Sequence, residues 1–151
     1  MDALDRAILT ELQLNGRLTN QELADRVGLS PSPCLRRVRA LEAAGVITGY
    51  TANVNAAAVG FPITAFVRIR IGSHSAEVVA EVENKIRSIE NVVEAHLMAG
   101  DADYLLKVVV ESLEKYEELV RTHIRNIPAV ASIETSFAFG LTKPAVPLPL
   151  E

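Results

Sequence analysis

Apolar residues recur at helical spacing three times before residue 45. Leu4, Ile8 and Leu12 fall on one stripe with Leu9 beside it, which predicts a helix over 3–14. Asp2 is placed to cap that helix, Asp5 lies in its first turn where the helix dipole favours a negative charge, and Asn15-Gly16 breaks it. Thr19 followed by Glu22 is a capping-box pattern. A second helix is therefore predicted to begin there and run through Val27, with Leu23, Ala24 and Val27 inward and Gly28 as its stop. A third helix is predicted from Pro31 to about Ala44, on a stripe of Cys34, Val38 and Leu41. Ser30 is its candidate cap. Pro31 suits the first helical position because its missing N–H has no partner there in any case, and Gly45 can take the left-handed closing conformation. Only Gly28-Leu29-Ser30 separates the second and third helices, the connection that a helix-turn-helix needs.

Beyond Gly45 the period shortens. Residues 47–51 read as a short extended segment, either a minimal wing or a strand for pairing with another subunit, and 53–60 reads as a linker. In 61–71 Phe61, Ile63, Ala65, Val67, Ile69 and Ile71 share one face of a strand, against Pro62, Thr64, Arg68 and Arg70 on the other, where only Phe66 breaks the polar row. A helix follows Ser75 to about Ile86, using Val78 or Val79, Val82 and Ile86. Strands are predicted at 92–98 and 104–110, joined by a hairpin at Gly100-Asp101-Ala102-Asp103. Ser112 caps a further helix with Leu113, Tyr116, Val120, His123 or Ile124, and Ile127 on its inner face. Pro128 ends it, and 130–139 is a last strand. The order strand, helix, strand, strand, helix, strand is that of a ferredoxin-like βαββαβ domain, a four-stranded antiparallel sheet with both helices on one face. The fold class is α+β: a helix-turn-helix domain at 1–52, a linker at 53–60, the ferredoxin-like domain at 61–140 and a proline-containing tail at 141–151. Phe66, with Leu105 or Leu106, lies on the sheet face that the helices leave open, which favours a homodimer joined through that face.

The 151 residues carry a net charge of −4, which by itself argues against a polyanion partner. Its distribution reverses that impression. The first 60 residues hold six basic and six acidic side chains, leaving nine basic and thirteen acidic groups to the remainder, and three of the six bases are Arg36, Arg37 and Arg39 on the third helix. A protruding helix that bears a guanidinium cluster suits the major groove of double-stranded DNA, which admits a helix and displays distinguishable donors and acceptors. Arg36 and Arg39 are the candidates for base or phosphate contacts, Arg37 for backbone positioning, Ser32 for a contact at the helix entrance, and Arg17 and Arg26 for phosphates outside that helix. So little positive charge on one head makes a single head a weak binder, and a dimer multiplies it on a palindromic operator.

Catalysis is not expected. His74, His96 and His123 lack metal-ligand spacing, no P-loop, G-x-S-x-G or C-x-x-C occurs, and Cys34 on a core stripe reads as a small hydrophobe. No metal or cofactor is implied. No run of 18 apolar residues and no signal-like start is present, so a cytoplasmic protein without a membrane partner is expected.

These segments resemble the Lrp/AsnC family of feast/famine transcriptional regulators. The resemblance rests on LDRAIL at 4–9, NGRLTNQELADRVGLS at 15–30, PCLRRVRALEAAGVITGYTA at 33–52, AFVRI at 65–69, GDADYLLKV at 100–108 and SFAFG at 136–140, in that order. It implies a winged helix-turn-helix head, a ferredoxin-like effector domain, and dimers that assemble further, often to an octamer. It also implies a regulator of amino-acid metabolism or transport whose effector is an amino acid held between subunits, with leucine, methionine or another apolar one favoured. Carried over, the effector site is Gly100, whose amides approach a carboxylate, Asp101 or Asp103 for the ammonium group, Met98 and Ala99 along the side chain, and Tyr104, with Thr135 or Ser136 from a neighbouring subunit. The alternative is an architectural, nucleoid-associated DNA-binding protein whose second domain serves assembly only.

Overall fold

The computed structural model describes residues 1–150. They form two compact units, Met1–Asn53 joined by the tail from Lys143 onward, and Val54–Thr142.

In the first unit α1 (Ala3–Leu14), α2 (Asn20–Val27) and α3 (Pro31–Ala43) enclose a core of Ile8, Leu9, Leu23, Ala24, Cys34, Val38 and Leu41. The expected capping box forms as Thr19 and Glu22 reciprocate at the start of α2, and the expected cap Asp2 makes a second one with Asp5: the Asp5 N–H donates to Asp2 Oδ1 and the Asp2 N–H to Asp5 Oδ2, each at 2.9 Å. Gly28 ends α2 at φ 71°, a left-handed conformation that a side chain disfavours, and so turns the chain into α3. Pro31 opens α3 as expected, but Ser30 makes no side-chain capping bond. The reason lies in the sequence: the third helical position, whose N–H a cap hydroxyl often accepts, is Pro33 and has none.

The extended segment expected at 47–51 is not a strand. The N–H groups of Val46 and Ile47 are spent on the Leu41 carbonyl in closing α3, Ile47 packs on the core, and the Tyr50 hydroxyl donates to Glu42 Oε1 at 3.0 Å. The tail joins this unit too: Leu150 packs on its core and the Leu148 N–H donates to Gln13 Oε1 at 2.7 Å.

In the second unit β1 (Ile63–Ile71), β2 (Val92–Leu97), β3 (Tyr104–Val110) and β4 (Val130–Phe137) form an antiparallel sheet in the order β2-β3-β1-β4. Burial alternates along the two central strands: Ala65, Val67, Ile69 and Ile71 of β1 and Tyr104, Leu106, Val108 and Val110 of β3 are buried. They share one core with α4 (Ala76–Arg87) and α5 (Leu113–Thr122), so both helices cover one face, and it is Leu105 that faces outward.

Four boundaries differ from expectation. The stretch expected as a linker holds a 3₁₀ turn at Ala57–Val59 that belongs with the sheet, and β1 starts at Ile63 because the Phe61 N–H is bonded to the Ala56 carbonyl. α5 stops at Thr122 rather than near Ile127. The Asn126 amide takes the Thr122 carbonyl at 2.6 Å, and Ile127, preceding Pro128, is extended. β4 ends at Phe137, leaving Phe139 fully exposed.

Candidate functional site

Two groups of residues merit construction from the side chains upward: the outer face of α3 and the hairpin between β2 and β3.

On α3 the core stripe of Cys34, Val38 and Leu41 fixes the rotation of the helix. At 3.6 residues per turn Ser32, Arg36 and Arg39 then fall within about 60° of arc on the opposite side, and all three are exposed. Neither Arg36 nor Arg39 forms an ion pair among the described residues. Arg37 is different. Set toward α1, its Nη1 lies 2.7 Å from Asp2 Oδ2 and 2.8 Å from Asp5 Oδ1. Those two carboxylates, Asp5 first, hold its guanidinium above its ordinary pKa, and Arg37 in turn helps the Asp5 N–H keep the Asp2 carboxyl below the usual range. The side chain expected to position DNA backbone is thus engaged in clamping α3 to the start of α1. Arg26 is similarly bound to Glu11 at 2.9 Å. Arg17 is exposed beside the α1–α2 turn, where its N–H donates to Asn15 Oδ1 at 3.0 Å. Burial raises the Cys34 thiol pKa, in keeping with a packing role.

At the other site Met98, Ala99, Gly100 and Asp101 line a cavity of about 520 Å³ on the open face of the sheet. Gly100, at φ 148°, occupies backbone space that favours glycine, and a Cβ there would meet open space, so the loop backbone is accessible from the cavity side. The remaining walls come from Arg68 and Arg70 of β1, Ala102, Leu105 of β3, and Ser132 and Glu134 of β4. Arg68 Nη1 lies 3.1 Å from Glu134 Oε1, and Arg70 Nε donates to the Asp101 carbonyl at 3.1 Å.

Four residues expected in the effector site stand elsewhere in this chain. Asp103 turns back on the sheet: its Oδ2 accepts the Ile71 N–H at 2.7 Å and its Oδ1 lies 2.7 Å from His74 Nε2. The imidazole foremost, then the N–H, keep its carboxyl below the usual carboxylate range. Tyr104 is on the helix-covered side, 3% exposed, and its buried hydroxyl has no partner among the described residues. Burial foremost raises its pKa. Thr135 also faces the helices, where its hydroxyl meets that of Tyr116. Ser136 shares the open face, paired in register with Phe66, but does not line the cavity. Residue parity explains both: along β4 the open-face positions are Ser132, Glu134 and Ser136. Arg68, Arg70, Leu105, Ser132 and Glu134 were absent from the expected site. Their only sequence signal was the out-facing parity of the strands that carry them.

Comparison with known proteins identifies both units. Residues 1–48 match a winged helix-turn-helix DNA-binding family, and 64–148 match the Lrp/AsnC ligand binding domain. The leucine-responsive regulatory protein of Klebsiella pneumoniae is 41% identical over 135 residues, spanning 89% of this chain and 82% of that protein. A transcriptional regulator of Neisseria meningitidis, solved as a complex with L-Met, superposes with a TM-score of 0.92 at 34% identity over 99% of this chain and 96% of its own. An AsnC family transcriptional regulator of Agrobacterium tumefaciens gives 0.91 at 38% identity, over 99% and 97%.

Proposed function

This chain belongs to the Lrp/AsnC family of transcriptional regulators, and we propose that it is a sequence-specific regulator of amino-acid metabolism or transport. It works as a homodimer that assembles further, up to an octamer, and its effector is an apolar amino acid such as leucine or methionine held at the β2–β3 hairpin. The neisserial relative solved with L-Met makes methionine the first effector to try. The effector acts by altering how dimers are arranged, and so the spacing at which paired heads meet DNA.

One observation carries the DNA-binding half of this reading: Ser32, Arg36 and Arg39 form an exposed face of α3 with neither arginine committed to a carboxylate, whereas Arg37 and Arg26 are. The assignment separates the arginines of one helix into two kinds. Arg36 and Arg39 contact DNA; Arg37 maintains the head that carries them.

The test is fluorescence anisotropy on an operator recovered from a random duplex pool, at several salt concentrations. Each arginine that meets a phosphate contributes about 0.9 to the slope of log affinity against log salt, and one that reads a base contributes about 1–3 kcal/mol of discrimination. The R36A/R39A double variant is expected to melt like wild type and to lose specific binding. R37A is expected to melt at a lower temperature, with its salt slope retained where it is still folded. Unchanged affinity in R36A/R39A removes the assignment.

A further inference from the structure

The two arginines of the hairpin cavity are not equivalent. Arg68 spends Nη1 on Glu134, across the β1–β4 register that sets the two side by side. Arg70 stands at the point where that register shifts, between Arg70 and Ile71. The extra residue of that shift, Ala131, is on β4, and Arg70 on β1 has its Nε held by the Asp101 carbonyl of the hairpin at 3.1 Å. Its two terminal nitrogens make no hydrogen bond among the described residues. A guanidinium fixed through Nε still presents two parallel N–H donors at the spacing of a carboxylate's oxygens, a grip that a lysine ammonium cannot reproduce. On the neighbouring strand β4 the second oxygen of Glu134, Oε2, is without a partner among the described residues and is an acceptor for a cation. On the other side of β1, toward β3 and the hairpin, the wall is apolar, from Leu105 and Met98. A cation pole, an anion pole and an apolar wall within about 520 Å³ is the outline of a zwitterionic amino acid with an uncharged side chain.

We propose that Arg70 is the carboxylate anchor of the effector pocket, with Glu134 receiving the ammonium group and Met98 and Leu105 taking the aliphatic side chain. This rests on the reading of the hairpin cavity as the effector site. It moves the charge recognition from the loop aspartates to β1 and β4, and the preference for an apolar amino acid follows from the wall on the β3 side of them.

The experiment is calorimetric titration of the full-length protein with L-leucine and L-methionine, each compared with its carboxamide, which keeps the ammonium and side chain but lacks the carboxylate. Wild type is expected to prefer at least one acid over its amide by about tenfold or more, the scale of a charge-assisted bidentate pair. R70M keeps the aliphatic stem and is expected to bring acid and amide within about twofold of one another. R70K is expected to fall between. R87M, on α4 and outside the cavity, is expected to keep the wild-type preference. An R70M protein that still prefers the acid as wild type does overturns the anchor and leaves the effector reading standing. A wild type that binds neither amino acid overturns both.

Discussion

Arg36, Arg37 and Arg39 sit within one turn of α3, yet their surroundings differ completely: Arg37 lies against Asp2 and Asp5, and the other two against solvent. The hairpin repeats the contrast with carboxylates. Asp101 contributes its backbone carbonyl to Arg70, while Asp103 ties the hairpin to the end of β1 through Ile71 and His74. Because His74 and the Ile71 N–H favour the ionised form, the Asp103 carboxyl titrates lower in the folded protein than in the unfolded chain. In the window between those two values the unfolded chain holds more protons, so stability rises with pH there. The contribution is complete above the unfolded aspartate value of about 3.9, and it is lost as pH falls through the lower folded value. D103A is therefore expected to cost about 1 kcal/mol near neutrality, the scale of a bond to a charged acceptor after solvent screening. The gap between wild-type and D103A melting curves should close as pH falls from about 4 toward 2. A gap that is independent of acid would mean that the carboxylate's charge is irrelevant to the tie.

The turn between α2 and α3 depends on Gly28 at φ 71°, where an added Cβ would meet nothing within 4 Å. Any penalty for a side chain there is conformational rather than steric crowding by neighbours. G28A is expected to destabilise the turn by about 1–2 kcal/mol, lowering hydrogen-exchange protection of the α2 and α3 amides by a factor of about 5–30. G28N is expected to do less, since asparagine tolerates the left-handed region. If G28A exchanged like wild type, the turn would not be set by this glycine. Gly28 was readable from sequence for the same reason that the capping boxes and the alternation of β1 were: each depends on residues a few positions apart, and local spacing encodes it. The outward face of α3 was legible too, because the apolar stripe determines which side remains. What escaped were choices made by distant partners. Nothing near Arg37 announces Asp2, and nothing near Arg70 announces the cavity that Ser132 and Glu134 complete from β4. Tyr104 lies within the family motifs and Thr135 beside one, but strand parity puts them on the helix-covered side of the sheet.

At the scale of the molecule the chain leaves the head at Asn53 and re-enters it at Lys143, so the head is completed only by the last residues of the sequence. Three ion pairs occupy Arg26 and Arg37 there, and the exposed recognition face is left with Arg36 and Arg39. Two guanidinium groups are too few for tight phosphate-driven binding by one head, and useful affinity therefore requires copies in register. The open face of the sheet is suited to joining them. Phe66, 39% exposed on a central strand, stands there between Lys107 and Ser136 in register. Covering the exposed part of one phenylalanine from each copy would contribute about 1–2 kcal/mol apiece, and a two-fold axis near β1 would bring both into one seam. F66E replaces that gain with two carboxylates that the seam would have to desolvate or hold apart. For the dimer proposed above, sedimentation of F66E across a concentration series is expected to show dissociation at concentrations about a hundredfold above those at which wild type dissociates, the conversion of a loss of about 3 kcal/mol. Its salt slope on operator DNA should fall to about half, because only one head then engages at a time. A variant that sediments as wild type would move the subunit contact off this face, and one that dissociates yet keeps the full slope would show that a single head contacts all the phosphates by itself.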